Sequence, residues 1–254
     1  MDEKITEFGK QLNAVQMKFI ARPVLEVQSY EYAMIRLFTN LITREGEIHC
    51  LLQNGYADGA FSLSRSTHET IAIMDYLSAN KTDAKLIKRF FDSIDIIRIK
   101  NRIAAIELCL QAPENKDELV KLLKEENANH DHYVAKYSSM CSKNGVFSDY
   151  WWAGKRSFKG FADKTRFPTN AWYKATCAFL HVNPFCVFKP HDGKITIGPT
   201  ESGADSPLGY SVINLIVACA FMTENIADFD FLPEMHALAD IIGMPLNIAK
   251  QKQT

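Results

Sequence analysis

The feature that most constrains this chain is a helical apolar period kept up over nearly its whole length. Ile5, Phe8, Leu12, Val15 and Phe19 recur at spacings of three, four, three and four residues, a narrow stripe on one helix face that ends before Pro23. Such a stripe needs a partner. From Leu25 to about Gln53 the residues Tyr32, Met34, Ile35, Phe38, Leu41, Ile42 and Ile48 keep the period until Asn54-Gly55, a stop signal. Ala57 to Ser78 is apolar almost all round and is expected to be the central helix. Thr82 opens a fourth periodic stretch that runs through Leu110 and ends near Pro113, and Lys116 to Ser142, polar with a thin apolar stripe, reads as an outer helix.

Further helices are expected over Ala171 to Leu180, Leu208 to Ile226 and Pro233 to Ile242, with an irregular stretch at about 143–168. The run FCVFKPHDGKITIG, centred on Asp192-Gly193, is the one hairpin signal. With Gly (12) and Pro (9) both sparse, and with neither a repeat nor a long linker, the fold class is all-α. The expected architecture is one domain over 1–254, a bundle of seven to eight helices with one small β-hairpin insertion near 185–197. Residues 1–22 form an N-terminal amphipathic helix read as an oligomerisation arm, which implies a homo-oligomer.

Charge and cysteines narrow the setting. Lys and Arg number 29 against 30 Asp and Glu, a net charge of −1 that argues globally for neither nucleic acid nor membrane partners. Six cysteines without C-x-x-C spacing, behind a charged amphipathic start that is no secretory signal, point to reduced thiols and a cytoplasmic location. The longest apolar run, Leu208 to Met222, is shorter than the roughly 20 residues that span a bilayer, so no membrane partner is expected. Charge is nonetheless unevenly distributed. Residues 151–167 interleave Lys155, Arg156, Lys159, Lys164 and Arg166 with Trp151, Trp152, Phe158, Phe161 and Phe167, whereas Ile195 to Ala249 holds seven acids and no Lys or Arg.

Phosphate-loop, dinucleotide, nucleophile-elbow and zinc motifs are all missing, as are the E-x-x-H pairs of a carboxylate-bridged bundle, so no metal or cofactor is expected. His130 and His132, at i,i+2 on the outer helix, point to different faces and read as solvent-facing. Three constellations remain. On the central helix Arg65 and Glu69 stand at i,i+4 beside His68, and on so apolar a helix they either organise the core or line a cleft. The basic aromatic segment has residue types that grip phosphates and stack bases, although aromatics that merely anchor a loop would look the same. His181 ends an apolar helix, where it serves either as a cap or as an acid–base group.

The order R-S-x-x-E at Arg65 to Glu69, W-x-G-K at Trp152 to Lys155 and F-L-H ending at His181 resembles the bacterial domain-of-unknown-function family 5677 over roughly Tyr30 to Phe229. Cys177 stands where relatives tend to carry serine. The resemblance implies a mainly helical bacterial protein with Arg65, Glu69, Trp152, Lys155 and His181 as signature, and no assigned activity.

Two functions are expected from the residues. The first is an RNA-directed or other phosphate-binding protein similar to the HEPN helical ribonucleases of defence and toxin–antitoxin systems. There His181 would move protons, Arg65 and Lys155 would hold phosphate, Glu69 would orient Arg65, and His68, Trp152, Arg156 and Lys159 would meet the ligand. An R-x4-H match at Arg44 to His49 carries no weight, since about 0.7 such matches arise by chance in this composition. The second is a non-enzymatic interaction protein whose Arg65, Glu69, Trp152 and His181 form a buried network and whose Ile5 to Phe19 stripe pairs with its own copy or another protein.

Overall fold

A computed structural model describes residues 1–20, 28–111, 116–155, 157–166, 190–191, 194–195 and 203–246. The fold is all-helical. Eight α-helices are described: α1 (Asp2–Ile20), α2 (Tyr30–Gln53), α3 (Ala57–Ala79), α4 (Ala84–Cys109), α5 (Lys116–Lys136), α6 (Phe158–Ala162), α7 (Asp205–Asn225) and α8 (Leu232–Ile241), with a single 3-10 turn at Trp151–Ala153. Within the domain expected over 1–254 the chain groups into two compact units, Met1–Ala79 with Thr165–Thr254, and Asn80–Lys164. The first is closed by segments from both ends of the chain, so no composition break announces it.

In the first unit α2, α3 and α7 pack on one another, and α1 and α8 cover them. The α2 stripe Phe38, Leu41, Glu45, Ile48 and Leu52 keeps the three–four spacing and is buried throughout. Gly55, at φ +76°, closes α2 in a left-handed turn that returns the Tyr56 amide to the Leu51 carbonyl at 2.8 Å and starts α3. α7 has the length and composition to cross a membrane, with mean hydropathy 1.5, and 61% of that window is buried inside the fold. The N-terminal stripe finds its partner within the chain. Ile5, Phe8, Leu12 and Val15 are at most 4% exposed, against α2, α7 and α8. Phe19 continues the stripe, stacking on Phe229 at 5.6 Å and leaning on Phe38 at 5.5 Å.

Burying those side chains is worth about 1.5–3 kcal/mol each, far more than a lone helix of this length gains from propensity. Lys18 fastens the end of α1 by donating to Glu234 at 2.7 Å and to the Asp230 carbonyl at 3.0 Å. The face from Ile5 to Val15, on the helix read as an oligomerisation arm, is therefore buried within its own chain, because α2 and α8 present the complementary apolar surface.

In the second unit α4 and α5 run antiparallel, tied by Arg102 to Glu126 at 3.0 Å and by Lys136 to Asp92 at 2.7 Å. α5 has no buried residue, as its thin stripe predicts. The cap of α4 is Asp83, not Thr82; its carboxylate accepts from the Leu86 amide at 3.0 Å. Against the inner face of α4 sits an aromatic core of Phe90, Phe147, Tyr150, Trp151, Trp152, Phe158 and Phe161. Of the hairpin expected near 185–197, the described residues hold only a two-rung pairing, Pro190 with Ile195 and His191 with Lys194, and no larger strand is seen among them. The helix expected over Ala171 to Leu180 lies outside the described residues.

Candidate functional site

Arg65 and Glu69 lie one turn apart on α3, with Nε 3.2 Å from Oε1. Their side chains are 26% and 29% exposed, so the pair is part-buried in the first unit. His68 turns the other way and is buried, as are Ser64 and Thr67. The buried polar face of α3 is thus the one opposite to Arg65 and Glu69.

That inward face meets polar groups that sequence reasoning passed over. Thr67 Oγ1 donates to the Ser64 carbonyl at 2.9 Å and accepts from Asn214 Nδ2 of α7 at 2.9 Å. Glu45 of α2 is fully buried, with neither carboxyl oxygen in a hydrogen bond, and the Ser211 hydroxyl of α7 is equally without a partner. Burial pushes the Glu45 carboxyl up to about 8, with the Ser211 and Thr67 hydroxyls limiting the rise. The signal was in the sequence: Glu45 occupies an apolar slot of the α2 stripe.

The W-x-G-K segment, in the second unit, forms a tight turn. Gly154 adopts φ +69°, its amide returns to the Trp151 carbonyl at 2.8 Å, and the Lys155 amide returns to the Tyr150 carbonyl at 3.0 Å. Trp152 is 3% exposed, meets Phe90 edge-on at 5.1 Å and Phe161 at 5.6 Å, and its carbonyl accepts from Arg89 Nε at 3.0 Å. A ligand could reach the Trp152 ring only by displacing those neighbours, so its place is structural. Of the other aromatics in the basic segment, Trp151, Phe158 and Phe161 are also core, while Lys159 and Lys164 face water. The anchoring reading therefore holds for the described aromatics.

Lys155 differs from its neighbours. The turn brings it, half-buried, to the wall of a pocket of about 820 Å³ that is also lined by Lys143, Phe147, Trp151, Cys141, Ser142 and Ser148, with no carboxylate among the lining residues. The pocket is held from both sides. Ser148 Oγ donates to the Lys155 carbonyl at 2.9 Å, and Ser142 Oγ accepts from the Val146 amide at 3.0 Å. Gly145 makes the bend between them at φ +72°, where a Cβ would come within 3.2 Å of Val134.

Behind the pocket Trp151 stacks with Phe147 at 4.8 Å and with Tyr137 at 4.7 Å. The Tyr137 hydroxyl makes a very short bond to Asp92, which also accepts from Lys136 at 2.7 Å. Burial raises the Asp92 carboxyl, and the bonds from Lys136 and Tyr137 overcome it, leaving the group below the ordinary carboxylate range. His130, expected to face solvent, is half-buried and lies edge-on to Phe147 at 6.3 Å, while His132 is exposed.

Among the described residues no cluster of His, Cys, Asp and Glu could hold a metal ion. His181 and Arg156 lie outside the described residues. Arg65, His68 and Glu69 belong to the first unit, and Trp152, Lys155 and Lys159 to the second.

No curated protein and no solved structure matches the chain. The family of unknown function DUF5677 matches residues 31–194, a stretch that takes in α2, the Arg65–Glu69 helix, the Trp152–Lys155 turn and His181. That is well over half of the 254 residues, and the chain belongs to this family.

Proposed function

We propose that this protein binds single-stranded RNA, with phosphate held between Lys143 and Lys155 at the pocket of the second unit. The observation that carries the reading is the pocket's lining: two lysines, three serines within reach of Lys155 or Lys143 in sequence, an aromatic wall of Phe147 and Trp151, and no acid. An acid-free basic pocket attracts phosphate, and an aromatic edge beside it suits a base. The charge of the unit agrees with this. Residues 80–164 hold 16 Lys and Arg against 12 Asp and Glu, a surplus of four positive charges, while the remainder holds 13 against 18. The near-neutral total conceals this separation.

Arg65, in the first unit, and His181 are the residues whose side-chain types suit cleavage. A part-exposed guanidinium steadied by Glu69 at 3.2 Å suits a phosphorane, and a histidine suits proton transfer. The test is fluorescence anisotropy with labelled oligoribonucleotides over a salt series. Wild type should bind with a steep salt dependence, and Lys143→Ala and Lys155→Ala should each flatten the log–log slope by about 0.7 and together weaken binding about tenfold or more. Equal affinity and slope in the double variant would sink the proposal. Cleavage lost in Arg65→Ala with binding intact would favour the enzymatic form.

A further inference from the structure

Glu45 sits where an apolar side chain belongs, and the groups around it decide which protonation state it holds. An ionised carboxylate in a dry interior needs two or three hydrogen-bond donors or a cation. Thr67 faces it from α3, but the single proton of that hydroxyl is spent on the Ser64 carbonyl. From α7 it is faced by Ser211, whose hydroxyl has no partner, while Asn214 spends one of its two amide hydrogens on Thr67. Tyr210, next to Ser211, packs on Phe61 at 5.2 Å.

No charged group acts on the carboxyl. Within α2, Arg44 pairs with Glu47 at 2.7 Å on the exposed face, and His49 bonds to Ile5 of α1. None of the charged residues of α1 is buried, and His68 is the one titratable residue on the adjoining buried turn of α3. With neither carboxyl oxygen in a hydrogen bond and no cation beside it, the neutral acid is the form this site accommodates.

We propose that Glu45 is a proton-binding site whose occupancy sets the packing of α2 against α3 and α7, and through α3 the presentation of Arg65 and Glu69. The geometry supplies the coupling. Thr67 lies midway between Arg65 and Glu69 in sequence, on the opposite face of the same turns. When the proton leaves, the carboxylate draws on the hydroxyls beside it, Ser211 and Thr67, and taking the Thr67 proton from the Ser64 carbonyl disturbs the turn of α3 that the Thr67–Asn214 bond joins to α7. The ligand is the proton itself, taken up at the carboxyl oxygen and released to water. This inference is independent of the RNA-binding pocket, which lies in the other unit.

The experiment is infrared spectroscopy of the full chain across a pH series, with Glu45→Gln as the reference that isolates the Glu45 carboxylic acid band. Amide hydrogen exchange, corrected for intrinsic rates, is followed in parallel. The expected result is a protonated-carboxyl band at neutral pH that is lost with a midpoint near 8, together with a rise in exchange across α2, α3 and α7 over the same range that Glu45→Gln abolishes. Ser211→Ala keeps the acid and removes the unpartnered hydroxyl beside it, so it should move the midpoint upward; this arm needs no folded Glu45→Gln protein. A missing band at about pH 6, a band persisting at about pH 10, an unmoved midpoint in Ser211→Ala, or an exchange rise shared by Glu45→Gln would each overturn the proposal.

Discussion

His49 Nε2 lies 3.1 Å from the carbonyl oxygen of Ile5, and this contact is what fastens α1 to α2 at its N-terminal end. The nitrogen must carry a proton to donate there, and the ring also meets Phe8 edge-on at 5.9 Å. Arg44, which precedes it in the R-x4-H match, pairs with Glu47 on the exposed face, so the two side chains of that match serve separate structural ends. Burial lowers the His49 pKa, and the bond to Ile5 only partly opposes this. The folded chain therefore holds fewer protons than the unfolded one just below about pH 6.5, and stability falls as pH drops through that value. Thermal melts from about pH 7 to 5 should show this loss in wild type and a flatter profile in His49→Gln.

Gly9 lies against the same ring. A Cβ there would stand 2.4 Å from His49 Nε2, so Gly9→Ala must push the ring off the Ile5 carbonyl. Alanine gains about 1 kcal/mol of helix propensity over glycine, and the displaced ring should more than cancel it, for a net loss of about 1–2 kcal/mol. Gly46, also helical, has nothing within 4 Å, and Gly46→Ala should stabilise by about 0.5–1 kcal/mol. Opposite shifts in melting temperature are the expected outcome, and shifts of the same sign would refute the account of Gly9.

Glu45 gives a pH dependence of the reverse sign. Its folded pKa is raised to about 8, so the folded chain holds the extra proton, and stability declines as pH rises from about 4.5 to 8 and then levels off. The full penalty is on the order of 5 kcal/mol. Denaturant unfolding at several pH values should show Glu45→Gln gaining on wild type through that window, with no further gain above it.

Asp92 ties α5 and the pocket wall to α4. It is 4% exposed and accepts from Lys136 and Tyr137, so Asp92→Ala should cost the second unit about 3 kcal/mol by stranding both partners. Because its pKa is depressed, the stabilisation is fully present above the unfolded value near 3.9 and is lost as pH falls from there through the lower folded value. Trp151 reports the change, since Tyr137 packs on it at 4.7 Å, and tryptophan fluorescence should move to an earlier unfolding midpoint. An unchanged midpoint would show that Asp92 does not anchor that wall.

Much of this protein was determined locally. Apolar spacing alone specified where α1, α3, α7 and α8 run, and marked α5 as an outer helix, because a 3.6-residue period is a property of one segment and needs no knowledge of its neighbours. The order of the short motifs was legible in the same way, and it placed the chain in its family.

What a stripe packs against is not local, and only the tertiary structure decided it. The same spacing that makes Ile5 to Phe19 a docking face suits a second copy as well as it suits α2 and α8, and the choice followed from which surface the rest of the chain brought to it. The aromatics and lysines of 151–164 look alike in sequence, yet the turn at Gly154 brings Lys155 to a pocket wall while Trp152 enters the core, since one left-handed residue redirects the chain. Glu45 was visible as an acid in an apolar slot, and Asp92 as an acid one turn from Lys88. Whether such an acid meets a cation from another helix, as Asp92 meets Lys136 44 residues on, or only hydroxyls, as Glu45 lies by Thr67 22 residues on and Ser211 166 residues on, is decided by the fold, and its charge state is set by that meeting.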